Sequence, residues 1–198
     1  AAGLELGAMK TAAATRGFKA VPMNLQASGA VTNVLKYANS RNVVAVLPGS
    51  ETPDEYFVYM AHWDHLGTDP NMEGDNIFNG ALDNATGTAA LLEIASAYAS
   101  LDKAPARSII FLAVTAEEQG LLGSAYYAEY PVVPLRQTVA GLNMDGLGYY
   151  GPTNDIVVTG YGASELDAYI EADTDKANRR VEPDQEPGKG RGGEGAGG

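Results

Sequence analysis

The chain contains no cysteine. This excludes a disulfide framework and a thiolate zinc site, though it does not fix a compartment. No apolar run of about eighteen residues occurs, so no membrane-spanning helix is expected. The N-terminus, AAGLELGAMK, has neither the basic nor the long apolar region of a signal peptide, and it lacks an initiator Met; it reads as a processed or truncated piece. Positive charge is scarce: 13 Lys and Arg stand against 25 Asp and Glu, a net charge of −12. That balance argues against nucleic acid or an anionic membrane surface as a partner. Histidine is scarcer still, with only His62 and His65, and the single tryptophan, Trp63, lies between them. What is present is ordinary: 198 residues, 45% of them hydrophobic, suit one domain with a sizeable core.

Residues 1–40 are Ala-rich and carry no evident chemistry. Leu4–Thr15 reads as a helix and Phe18–Ala30 as extended, and the segment is expected to pack on the core. Residues 41–182 form that core. Asn42–Leu47 is a β-branched strand closed by Pro48-Gly49. Tyr56–Ala61 is the next strand, joined to it by SETPDE as a hairpin or a near neighbour. Asn84–Leu101 repeats apolar residues at helical spacing behind Asp83 and Asn84, both good caps. Ser108–Thr115 is a continuous apolar run, as in a strand buried on both faces. Leu121–Tyr130 reads as a helix, Thr138–Met144 as a second buried strand, Asp155–Thr159 as a strand, and Ser164–Asn178 as a helix with a capping box from Ser164 and Asp167. Strands alternating with helices at these lengths predict an α/β sheet covered by helices. Residues 183–198 are Gly-rich and are expected to be a flexible tail.

Acids and a histidine recur at the strand ends: His62 and Asp64, then Glu117 and Glu118, then Asp145, with Asp83 at a loop–helix junction. Open α/β sheets place ligand chemistry at such ends. Zinc accepts imidazole and carboxylate, and a two-metal site needs a bridging carboxylate. His62 suits a first ligand. Asp64, on the same strand face, suits a partner for its other ring nitrogen. Asp83 suits a bridge, Glu118 and Asp145 one metal each, and Glu117, beside a ligand, a general base. Each has a plainer alternative: a core histidine for His62, a helix cap for Asp83, a solvated pair for Glu117 and Glu118, a turn former for Asp145. His65 fits a loop or supporting role, and Trp63 fits packing.

HWDHLG, LDNATG, EEQGLLGS and NMDG, in this order, resemble the four motifs of the M28 family of zinc aminopeptidases, over roughly Asn42 to Pro187. The resemblance implies a mixed, largely parallel β-sheet with helices on both faces, a zinc exopeptidase-like fold that lacks the last family elements. It implies two zinc ions bridged by Asp83, with His62 and Asp145 on one and Glu118 on the other, and a cis Asp83–Asn84 peptide. It further implies metal-assisted hydrolysis at peptide or protein N-termini, with Glu117 as base and then acid. Residues 1–40 would be the tail of a protease-associated region, in an exported (secreted or periplasmic) enzyme. The family's second zinc also takes a histidine downstream of NMDG, and this sequence has none there. One zinc, or an impaired site, is the expectation unless water, Glu194 or His65 stands in. A zinc carboxypeptidase or deacylase, or a non-catalytic metal-binding or interaction module on the same scaffold, are the alternative readings. Oligomeric state is not legible.

Overall fold

Ser108–Thr115 is the most apolar stretch of the chain, and it needs cover on both faces and both edges. In the computed structural model, which describes residues 5–26, 28–34, 37–148 and 151–183, it receives that cover. The chain divides into two units, Ala1–Asn39 and Ser40–Gly198. In the first, helix α1 (Leu6–Ala13) is capped by the Glu5 side chain, which accepts from the Ala8 amide at 3.1 Å. Leu6, Met9, Phe18, Val21, Met23 and Leu25 line one apolar hollow of this unit.

The second unit holds strands β1 (Val43–Leu47), β2 (Thr52–His62), β3 (Gly67–Thr68) and β4 (Ile77–Phe78), then helix α2 (Ala85–Ala99) and strand β5 (Arg107–Val114). Helix α3 (Leu122–Glu129), β6 (Thr138–Asn143), β7 (Asp155–Val158), helix α4 (Leu166–Lys176) and β8 (Arg180–Pro183) follow. The main sheet has the order β1-β5-β2-β6; β2 runs parallel to both β5 and β6, and β1 is antiparallel to β5. The mixed, largely parallel sheet is therefore as expected, but the first connection is not a hairpin. β5 lies between β1 and β2, with Val43 opposite Ala113 and Leu47 opposite Ile109. The turn after β1 is held instead by the approach to β5, where the Ser50 and Glu51 amides donate to the Pro105 and Ala106 carbonyls at 2.8 and 3.1 Å. A strand apolar on both faces is buried most fully in the sheet interior, and this outweighs the local closeness of β1 and β2 in sequence.

Alternate residues of β5 build the two halves of the core. Ile109 and Phe111 pack with Leu91, Ile94 and Tyr98 of α2 on one face. Ile110, Leu112 and Val114 pack with Val58 and with Tyr127 of α3 on the other. Burying each such side chain contributes about 1.5–3 kcal/mol relative to exposure, so this strand anchors both layers. β6 departs from its expected burial: it is an edge strand, and Val139 and Leu142 are exposed. No described strand pairs with its outer edge.

α4 begins later than expected and without a capping box. Ser164 Oγ accepts from the Leu166 amide, while Asp167 accepts from Gly162 rather than from Ser164. β8, absent from the sequence reading, pairs parallel with β7 in a separate two-stranded sheet, and Pro183 belongs to it rather than to a tail. The rest of the Gly-rich segment, 184–198, lies outside the described residues. No described helix is long and apolar enough to cross a membrane.

Candidate metal centre

From β2 the chain crosses through α2 to β5 on one side of β2, then through α3 to β6 on the other. Right-handed crossovers in opposite directions put their helices on opposite faces, which is where the two halves of the core place α2 and α3. A crevice therefore opens at the C-terminal ends of β2, β5 and β6, the usual ligand position of such sheets. His62 ends β2, Glu117 and Glu118 follow β5, Asp145 follows β6, and Asp83 precedes α2. The strand-end residues singled out in the sequence thus converge because the topology reverses at β2.

His62 is 2% exposed. Its Nδ1 lies 3.0 Å from the Asp64 carbonyl oxygen. A carbonyl only accepts, so Nδ1 carries a proton. The other ring nitrogen, Nε2, faces carboxylate oxygens: Asp83 Oδ1 at 3.0 Å, Asp145 Oδ1 at 3.4 Å and Glu117 Oε2 at 4.0 Å. His62 Nε2 and Asp83 Oδ1 are both buried and neither makes a hydrogen bond. Burial opposes charge on His62, but the Asp145 and Glu117 carboxylates, the Asp64 carbonyl and Asp83 together outweigh it and raise the imidazole pKa above the usual histidine value. The field that favours a proton there favours a metal cation equally. Imidazole nitrogen with carboxylate oxygens is a zinc-type donor set, and the atoms of His62, Asp83 and Asp145 lie within 4.8 Å of one another.

Asp64 acts differently from its expected part. Its carboxylate is 3.7 Å from His62 Nδ1, too far for a hydrogen bond, and its backbone carbonyl orients the ring instead. The carboxylate accepts from the amides of Glu117 at 3.1 Å and Glu118 at 3.4 Å. It therefore ties the end of β2 to the acidic pair after β5. That pair sits on a constrained turn, with Ala116 at φ 54° and Leu121 at φ 62°. Left-handed backbone of this kind costs a non-glycine residue about 1–2 kcal/mol. Burial pushes the Glu117 carboxyl up; His62 pulls the other way, and Asp145, Glu118 and Asp83 add to the rise.

Two residues carry more than sequence reasoning assigned. His65 lies 2.6 Å from Glu118 through Nδ1 and Oε1, and His65, Asp83 and Glu118 form a second group with ligand atoms within 4.8 Å. Asn84, read only as a helix cap, is 2% exposed and stitches the start of α2 to the end of β6. Its Oδ1 accepts from the Gly87 amide at 2.9 Å and the Gly146 amide at 3.2 Å, and its Nδ2 donates to the Met144 carbonyl at 2.9 Å. This holds Asp83 and Asp145, on separate elements, against His62. The Asp83–Asn84 peptide is cis. Residue 87 must be glycine, because a Cβ there would press on the Asn84 side chain and the Met144 carbonyl. Trp63 is half-exposed and donates its indole N–H to the Arg41 carbonyl at 3.2 Å.

Asn84→Ala removes a cap worth about 1 kcal/mol and strands a buried carbonyl at a cost of about 1–3 kcal/mol. Urea unfolding of the metal-free protein is expected to show a loss of about 2–4 kcal/mol. A midpoint unchanged from wild type would mean that Asn84 does not join these elements.

Comparison with known proteins agrees with this geometry. The chain is 38% identical over 123 residues to a "Probable zinc metalloprotease" of Pyricularia oryzae, covering 62% of this chain and 22% of the relative. It is 36% identical over 129 residues to "Aminopeptidase NAALADL1" of Rattus norvegicus, covering 63% of this chain and 16% of the relative. The chain thus spans about a fifth of the length of these curated relatives. The crystal structure of a peptidase M28 precursor from Shewanella amazonensis SB2B superposes with a TM-score of 0.53 at 26% identity, over 73% of this chain and 30% of that one. The model of peptidase family M28 matches residues 42–194. That match takes in every strand and helix that carries the centre, and this chain belongs to peptidase family M28.

Proposed function

We propose that the chain forms the catalytic part of a zinc aminopeptidase that removes residues from peptide or protein N-termini. The observation that carries the reading is the buried His62 Nε2, 3.0 Å from Asp83 and 3.4 Å from Asp145 and without a hydrogen bond. His62 and Asp145 would hold one zinc and Glu118 a second, with Asp83 shared between them. Bound there, zinc would polarise the scissile carbonyl and lower the pKa of the attacking water. Glu117 accepts a proton from that water as its oxygen bonds to the carbonyl carbon. The carbon–nitrogen bond then breaks, and Glu117 returns the proton to the leaving amine. The Asp64 carboxylate keeps Glu117 in place through its backbone amide.

The acidic rim supports N-terminal specificity. Asp145 is about half exposed (47%), so a carboxylate oxygen there is open toward a substrate α-ammonium group. The relative named as an aminopeptidase points the same way. A secreted or periplasmic location goes with this reading through the resemblance to exported enzymes.

The test is hydrolysis of leucine p-nitroanilide beside its N-acetylated form, before and after chelation. Turnover of the free amine alone, abolished by chelator and restored by Zn²⁺, is the expected result. Equal cleavage of the blocked substrate would overturn the N-terminal assignment in favour of a carboxypeptidase- or deacylase-like activity. Zinc binding without turnover would instead make the chain a non-catalytic metal-binding module.

A further inference from the structure

We propose that His65 is the imidazole ligand of the second metal position, binding through Nδ1 alongside Asp83 and Glu118. The proposal rests on the metal-centre reading above and adds a ligand to it.

Around His65 an ion-pair contact leaves its polar atoms without hydrogen bonds. Nδ1 is 2.6 Å from Glu118 Oε1, yet neither atom makes a hydrogen bond; the contact has the distance but not the alignment of one. Both atoms are buried, as is Asp83 Oδ1, which also has no hydrogen-bond partner. Three buried polar atoms left in this way, from three different loops, are costly unless something satisfies them together. A cation between them does so, since each then contributes a lone pair along its own direction. On the other side, His62 Nε2 is likewise buried without a hydrogen bond, 3.0 Å from Asp83 Oδ1.

The loop from 65 to 80 is also shaped around this ring. β3 and β4 form a short hairpin, with Gly67 opposite Phe78. Phe78 presents its ring to His65 in an edge-on arrangement, with centroids 6.5 Å apart and planes at 70°. Gly80 lies so close behind that a Cβ there would fall 2.9 Å from His65 Cβ and Cγ, and its φ of +62° also favours glycine. The Ala85 amide donates to the Gly80 carbonyl at 2.9 Å, which joins this loop to the start of α2 and hence to Asp83. Opposite, Asp64 holds the Glu118 amide. Both sides of the position are thus fixed by neighbours that do not themselves ligate, as ligating residues require.

The chain has only two imidazoles, so each can be followed separately. The experiment is a long-range ¹H–¹⁵N spectrum of the metal-free chain through a Zn²⁺ titration, with calorimetry on the same samples. His65→Gln assigns the two spin systems. The expected result is two equivalents of zinc, with metallation shifts at His62 Nε2 and at His65 Nδ1. In His65→Gln, one equivalent should remain and the second should weaken at least about tenfold. His65→Asn provides a second variant, and circular dichroism confirms that both fold. If His62 shifts while His65 stays unchanged at saturating zinc, the ligand assignment is wrong and the peptidase reading stands. If neither imidazole shifts, both fail. Binding of two full-strength equivalents by His65→Gln and His65→Asn would equally overturn the proposal.

Discussion

Glu117→Gln is expected to lower kcat for an aminoacyl anilide by about 10²–10⁴-fold, the usual contribution of a positioned general base, while leaving zinc content unchanged. Gln matches Glu in shape, keeps the backbone amide that Asp64 holds at 3.1 Å, and cannot take a proton. Glu117 approaches His62 Nε2 no closer than 4.0 Å, whereas Asp83 and Asp145 lie at 3.0 and 3.4 Å. It also belongs to neither group of three mutually close ligand atoms. It therefore stands beside the centre without forming part of it. Burial raises its pKa, and three neighbouring carboxylates add to that effect against the pull of His62. A carboxylate made more basic in this way is a better proton acceptor. Single-turnover kinetics and elemental zinc analysis of the same preparation decide the matter. Retention of kcat within a few-fold would remove Glu117 from the role, and loss of zinc would make it a ligand instead.

Asp83→Asn has the second large expected effect, and on the proposed two-zinc reading it acts on both metal positions together. Asp83 is the one residue common to the two groups, His62–Asp83–Asp145 and His65–Asp83–Glu118. Losing even a partner outside the coordination sphere typically costs about 10–100-fold in affinity, so removing the shared carboxylate should weaken both equivalents by at least that much. Asp145→Asn should weaken only the first and Glu118→Gln only the second. Calorimetric titration of the three variants distinguishes a shared ligand from two independent ones; selective loss of a single equivalent in Asp83→Asn would show that nothing is shared.

The metal-free proteins should order the other way. Asp83, Asp145, Glu117 and Glu118 crowd around His62 and His65. With no cation present their charges repel, so removing one should raise the melting temperature of metal-free protein. The same change should lower it once zinc is added, because zinc then stabilises the wild type more by mass action. A site built for a cation is unfavourable without it, and the opposite sign of the two shifts is the signature.

The parts of the centre differ in how visible they are in the sequence. His62, Asp83, Glu118 and Asp145 could be picked out because each ends a strand or opens a helix whose own periodicity is strong. The long buried run of β5 and the apolar stripe of α2 mark those boundaries to within a residue or two. His65 stood in the same motif, but nothing local distinguishes a ligand from a loop histidine. Its contact with Glu118 spans 53 residues and depends on a hairpin of two-residue strands, β3 and β4, too short for any periodic signal. Asp64 was legible as a participant but not in its action, because its carboxylate partners are amides 53 and 54 residues away. Asn84 read as a cap, and its bonds to Met144 and Gly146 belong to another strand end altogether.

By itself the sequence determined which residue types stand at the strand ends, and hence the donor chemistry and the family. It also determined the α/β alternation, since hydrophobic period is a local property of the chain. Only the tertiary structure decided that β5 separates β1 from β2 and that β6 is an edge. It alone brought His65 to Glu118 and turned the Asp64 carboxylate toward the Glu117 and Glu118 amides. Strand order and ligand convergence are set by which surfaces bury one another across long stretches of chain, and local pattern carries no record of that competition.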